Sequence, residues 1–137
     1  MAVLMELSRI LIRENSQLHI IELREADGDR KFPIQIGIYE AAAIERRLSG
    51  RKIERPQTHE LLASVIEHLG GAVEHVLVND LVQNEAGGTF LARLYIRQNG
   101  QLIDVDSRPS DAIALGIGLE VPIYVEDHVL EKMEQDI

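Results

Sequence analysis

Cysteine and tryptophan are both absent from this chain of 137 residues, and only three tyrosines and two phenylalanines are present. Without cysteine there is neither a disulfide framework nor a thiolate metal site, a usage that fits a reducing cytosol. The five aromatic residues, Phe32, Tyr39, Phe90, Tyr95 and Tyr124, form no interleaved stacking set for single-stranded nucleic acid. No run approaches the ~18 apolar residues of a membrane span, and the acids and arginines inside residues 1–13 break any signal-peptide layout. Phosphate-cradling glycine loops and a G-x-S-x-G elbow are missing too, which sets aside dinucleotide binding and serine-hydrolase chemistry. His19, His68, His75 and His128 lack ligand spacing. The expectation is a cytoplasmic protein with no membrane association.

Positive charge is scarce as well. Fourteen basic residues stand against 23 acids, a net charge of −9. A protein living on phosphate contacts carries a positive field, so this chain repels nucleic acid on average. The charge is uneven, however. Arg46, Arg47, Arg51, Lys52 and Arg55 fall within ten residues and are opposed there only by Glu54. This segment is the one candidate nucleic-acid footprint; a solvated loop after a helix end, where cations are favoured, explains it equally. From Glu120 onward six acids face Lys132 alone.

What is present reads as one domain over residues 1–137, with 45% apolar and 27% charged residues. Such a chain buries roughly 68% of its unfolded surface. Strands are expected at 3–12, 18–23 and 32–36, the last an edge strand because of Pro33, with a turn at 26–30. A helix over 38–48 follows, with Ala41, Ile44 and Leu48 on one stripe and Gly50 as its stop. Thr58 is the expected N-cap of a second helix whose Leu61, Leu62, Val65, Ile66 and Leu69 form an amphipathic face. Strands at 73–82 and 89–97 flank the turn 85–88, and Asn99-Gly100 makes a tight hairpin into 101–106. The helix after Pro109 is apolar nearly all round and therefore central, with Gly116 and Gly118 admitting a neighbouring backbone. A strand at 121–125 and a polar helix at 126–135 close the chain. The fold class is α+β, a mixed sheet with strands in groups of about three separated by helices. Three strands then a helix occur twice, over 3–48 and 73–119, an order that suggests internal duplication.

Chemistry concentrates in Asp104-Val105-Asp106-Ser107-Arg108-Pro109-Ser110-Asp111, the seam between a strand and that central helix. Asp104 and Asp106 point to one face of the strand, about 6.6 Å apart, and suit a divalent metal such as Mg or Mn that activates water on a phosphate. Asp111 can reach the same cluster across the turn, and Arg108 can clamp a phosphate oxygen. The alternative is structural: Ser107 or Ser110 caps the helix, Asp111 complements its dipole, and Arg108 neutralises the aspartates. His59 lies in the first turn of its helix, where the positive dipole end favours the neutral imidazole a general base requires. A half-buried histidine bonded to a loop is the plainer reading. Glu40 opens a helix beside a buried stripe and is either catalytic or an ion-pair partner for a cation such as Arg55.

Together, Phe32-Pro-Ile-Gln-Ile-Gly37, Glu40-Ala41 with Ala43-Ile44, Arg55-Pro-Gln-Thr-His-Glu-Leu-Leu62, Thr89-Phe-Leu-Ala92, Asp106-Ser-Arg-Pro-Ser-Asp-Ala-Ile-Ala-Leu115 and Pro122-Ile-Tyr-Val125 resemble the bifunctional nuclease domain family. The blocks keep the family's order and cover the chain from about Gly28 to Val125. The resemblance implies a compact α+β domain, cleavage of DNA and RNA by some members, and a homo-oligomer, dimer or higher. Its polar signature falls on Glu40, Arg55, Thr58, His59, Asp106, Arg108, Ser110 and Asp111. One departure is that Gly118 and Glu120 stand where members often carry basic residues.

Two functions follow as expectations. The first is a metal-assisted nuclease in which Asp104 and Asp106 hold the ion, and Glu40, His59, Asp106 and Asp111 supply the chemistry. Arg55, Arg108 and Ser110 would then bind substrate, with Arg46, Arg47, Arg51 and Lys52 extending the grip. The second is a non-catalytic oligomeric binding module whose polar cluster is an internal salt-bridge network.

Overall fold

The computed structural model describes residues 1–13, 19–85 and 87–135. Leu18, Ala86 and Asp136, on which a strand start, a turn and part of the acidic tail were expected, lie outside the described residues. Strands β1 (Ala2–Leu11), β2 (His19–Glu25) and β3 (Lys31–Ile36) form an antiparallel meander that ends in helix α1 (Ile38–Ser49). After α2 (Thr58–His68), β4 (Ala72–Asn84), β5 (Gly87–Gln98) and β6 (Gln101–Ser107) repeat that meander and end in α3 (Pro109–Leu119). Strand β7 (Ile123–Glu126) then lies between the two meanders, antiparallel to β1 and parallel to β4, and leads into α4 (Asp127–Gln135). The sheet is therefore mixed, in the order β3-β2-β1-β7-β4-β5-β6, and the doubled order of three strands and a helix holds.

Local chemistry accounts for most boundaries. Asn99 and Gly100 both adopt positive φ, 51° and 77°, the backbone of a two-residue hairpin whose twist matches its strands. Gly50 stops α1 at φ 68°, its N–H bonding the Arg46 and Arg47 carbonyls. Pro109 opens α3 at the position where a missing N–H costs nothing. Two expected caps move by a residue or more. Gln57 rather than Thr58 is the N-cap of α2, and Arg108 rather than Ser107 or Ser110 is that of α3, both without a side-chain cap bond. The serine Oγ atoms are engaged elsewhere, Ser110 on Glu40 and Ser107 on the Arg108 carbonyl.

The core joins the inward faces of both meanders to α1, α3 and α4, with Ile21, Ile44, Val76, Val78, Ile113, Val125 and Val129 wholly buried. In a flat sheet β3 and β5 would stand about 24 Å apart, at ~4.8 Å per strand. The Phe32 and Phe90 ring centroids are 5.5 Å apart, so the sheet coils back on itself and brings the β3 edge to the start of β5. Helix α3 sits within the curve, packed on β3, β4 and β5 as well as on α1 and α2. Gly116 and Gly118 do not act alike here. A Cβ at Gly116 would come within 3.0 Å of the buried Val76, whereas at Gly118 it would meet nothing within 4 Å. The amphipathic face of α2 is also not a core face: Leu61, Leu62, Val65 and Leu69 are exposed, and only Ile66 packs inward.

Candidate functional site

The coiled sheet sets the N-terminus of α3 beside the start of α1 and the first turn of α2. Arg108 is the hub. Its Nη2 donates to Glu40 Oε1 at 2.7 Å, and its Nε donates to Asp111 Oδ2 at 3.0 Å. The other oxygen of Asp111, Oδ1, meets His59 Nε2 at 3.0 Å, and Ser110 Oγ donates to Glu40 Oε1 at 3.3 Å. Three segments thus deliver Glu40, His59, Arg108, Ser110 and Asp111 to one network. Glu40 and His59 are its buried ends, 4% and 7% exposed. The Arg108 side chain, 68% exposed, is its open end. Asp111, and after it Glu40, hold the Arg108 guanidinium above its ordinary pKa, so the cation is permanent.

The network divides two hollows. A cleft of about 650 Å³ lies between the β3 edge, the start of β5 and the α3 N-terminus, with Pro33, Phe90, Arg108 and Ser110 on its walls. On the other side a cavity of about 450 Å³ lies among α1, α2 and α3, and His59 stands on its wall.

Asp104 and Asp106 are not brought to this network. Val105 pairs with the core residue Leu94, so the aspartates on either side of it face outward. Arg93 stands between them, with Nη2 to Asp104 Oδ2 at 3.0 Å and Nη1 to Asp106 Oδ1 at 3.5 Å. Asp104, and after it Asp106, raise the Arg93 guanidinium above its ordinary pKa. Arg55, the expected partner of Glu40, is exposed and bonds no described residue; the same holds for Lys52. The other cations of the basic segment are already paired: Arg46 with Glu60 at 3.1 Å, Arg51 with Glu45 at 3.1 Å, and Arg47 with Glu120.

The sequence profile of the bifunctional nuclease domain matches residues 21–137. The chain belongs to the bifunctional nuclease domain family. An uncharacterized protein of Mycobacterium tuberculosis, found in two strains, is 41% identical over 121 residues, which is 88% of this chain and 70% of that protein. Bifunctional nuclease 1 of Oryza sativa subsp. japonica is 28% identical over 122 residues, 86% of this chain and 36% of the rice protein. Bifunctional nuclease 2 of the same subspecies is 28% identical over 118 residues, and there this chain spans 35% of the relative.

For a bifunctional nuclease domain the question of a divalent ion arises at once, and the carboxylates do not fit a resident one. The place between Glu40 and Asp111 is held by the Arg108 guanidinium, and that between Asp104 and Asp106 by Arg93. Among the described residues, no three His, Asp or Glu side chains converge as metal ligands.

Two participants escaped the sequence reading. Arg93 was legible in principle: a two-residue hairpin at Asn99-Gly100 pairs Gln98 with Gln101, and counting outward pairs Arg93 with Asp106. Gly37 is the second, since a Cβ there would lie 2.6 Å from Glu40 Oε2. The buried carboxylate folds back over a residue whose lack of a side chain leaves it room. No local pattern announces this.

Proposed function

We propose that this domain hydrolyses phosphodiester bonds of DNA and RNA at the cleft walled by Arg108 and the α3 N-terminus. The observation that carries the reading is the exposed, permanently charged Arg108 at an α3 start without a side-chain cap, beside the half-exposed Asp111. First-turn N–H groups and a guanidinium together favour a phosphate. Glu40 is too buried to touch a substrate and acts as a positioning residue, holding Arg108 toward the cleft. Asp111 is the carboxylate next to that phosphate that water can reach. As water attacks phosphorus, its proton passes to the Asp111–His59 pair and the bond to the departing sugar oxygen breaks. That oxygen takes a proton from solvent, and Arg108 offsets charge on the non-bridging oxygens. No step is routed through a metal, because Arg93 already holds the place between Asp104 and Asp106.

A second reading has its own support. Each of Glu40, His59, Arg108 and Asp111 already has a partner, as in a salt-bridge network of a non-catalytic module. The test is cleavage of single-stranded DNA and of RNA, with Mg²⁺ or Mn²⁺ and with chelator, by wild type, Asp111→Asn, Arg108→Gln, Arg108→Lys and Asp106→Asn. Thermal melts verify that each variant folds. The nuclease reading expects a loss of about 10²-fold or more in Asp111→Asn and Arg108→Gln, with partial rescue by lysine. Asp106→Asn is expected to cleave like wild type with or without chelator; loss of a metal-dependent rate in this variant would instead place a divalent ion on the outer face. Wild-type protein that folds but does not cleave establishes the structural network instead.

A further inference from the structure

The cavity of about 450 Å³ among α1, α2 and α3 lies on the far side of His59 from the Arg108 cleft, and the phosphodiester chemistry makes no use of it. Its inner wall is apolar, made by Ala43, Ala63, Ala114, Leu115 and Leu119. Arg46, Arg47 and Arg51 stand at its border, where α1 ends.

Three separate features mark the space as a site rather than a packing gap. Its volume matches that of small-molecule pockets, which are mostly apolar with a few placed polar groups. The Arg46 guanidinium gives Nη2 to both oxygens of Glu60, yet its Nε is buried and donates to no described residue. The guanidinium is thus under-satisfied, and because Arg46 lines the cavity an anionic acceptor there gives it a second charged partner. Finally, Gly118 lines the cavity with more than 4 Å of open space where its Cβ would be. Helix packing therefore does not call for glycine here, although glycine is a poor helix former.

We infer that this cavity binds an amphipathic organic carboxylate, with its apolar body against Ala63, Ala114 and Leu115 and its carboxylate on Arg46. The chemistry excludes a bare inorganic anion, which would leave the apolar wall unused. It also disfavours a nucleotide, because Glu60 and Glu67 on the same border repel a dianion. His59 stands on the wall of this cavity, so its ring resonances report occupancy without any reference to nuclease activity.

Octanoate is the probe, titrated into the full chain by calorimetry and by methyl and histidine NMR. Octanol has the same body without the charge, acetate has the charge without the body, and adenosine monophosphate represents the nucleotide class. Octanoate is expected to bind, to shift the Ala63, Ala114 and Leu115 methyls and to move the His59 ring signals. Octanol and acetate should each bind at least about tenfold more weakly. Arg46→Gln should weaken octanoate by about tenfold or more. Gly118→Leu should abolish binding while keeping or raising Tm, because the new side chain occupies the cavity and leucine favours helix. Octanoate that fails to bind, or that binds Gly118→Leu as well as wild type, overturns the proposal. Adenosine monophosphate binding in preference to octanoate overturns the ligand class. All of these are binding measurements, so they stand whether or not the domain cleaves nucleic acid.

Discussion

Arg108 and Glu40 form an ion pair whose two members differ in what their loss exposes. Removing Arg108 leaves Glu40, 4% exposed, without its cation and, among the described residues, with the Ser110 hydroxyl as its one weak donor. Removing the charge of Glu40 leaves an arginine already in water. Leaving a buried charge unpaired costs about 3 kcal/mol, whereas losing one hydrogen bond to an exposed group costs about 1 kcal/mol. Arg108→Gln is therefore expected to lower the urea midpoint more than Glu40→Gln, although arginine is the surface residue of the pair. Equal losses would mean that Glu40 finds other donors. The residue types of this pair were visible as charges in the chain, but not their pairing, because 68 residues separate them. Arg55, the nearer cation, was the natural guess for Glu40. By contrast, Arg93 with Asp106 follows by counting from the Asn99-Gly100 turn, because a two-residue hairpin fixes register.

At the scale of elements, α3 and α4 carry the sharper expectations. Gly118→Ala should stabilise by up to about 1 kcal/mol, since alanine favours helix and its methyl meets nothing. Gly116→Ala should destabilise, because its methyl would press to 3.0 Å against a Val76 that is wholly buried and cannot retreat. Paired urea melts give the two signs directly. Among the ion pairs that hold helix α4, those of Asp127 and Lys132 are the shortest. Arg30 bonds Asp127 at 2.9 Å, and Lys132 bonds Asp80 of β4 at 3.1 Å. The Lys132 bond holds Asp80 below the ordinary aspartate pKa, and the Arg30 bond does the same for Asp127. With pKa values lowered on folding, the unfolded chain binds more protons, so this contribution is complete above about pH 4 and fades as pH falls further. Asp80→Asn and Asp127→Asn should reduce stability at pH 7 and flatten its loss in acid, read from urea midpoints at pH 7 and pH 3. Unchanged acid curves would remove these pairs from the account. Helix positions were legible from turn and cap residues; the environment of α2 was not. Its period marks Leu61, Leu62, Val65 and Leu69 as one face, but a period cannot say whether anything covers that face.

For the whole molecule, the property hidden from local pattern is the coiling of the sheet, because Phe32 and Phe90 meet across four intervening strands. Alternation predicts strands and faces, while the closure that creates the Arg108 cleft arises only when both meanders share β7. Charge, in contrast, is a whole-chain quantity readable at once, and it constrains how nucleic acid can bind. The net charge is −9, and Arg46, Arg47 and Arg51 are each already paired with a glutamate. Arg108 is the exposed cation of the cleft, and Lys52 and Arg55 are exposed cations of the loop before α2. If those three neutralise phosphates, log K against log salt for single strands should have a slope near −2, from about −0.7 per contact. Arg55→Gln should then reduce the slope by roughly 0.7 and weaken DNA and RNA alike. A much steeper slope would require the paired arginines to exchange their glutamates for phosphates, and Glu60→Gln would then strengthen binding by freeing Arg46. Anisotropy titrations of a labelled oligonucleotide from 20 to 200 mM salt separate the two. A shallow slope confines contact to the Arg108 cleft and its adjoining loop, and a steep one makes the helix end of α1 part of the nucleic-acid surface.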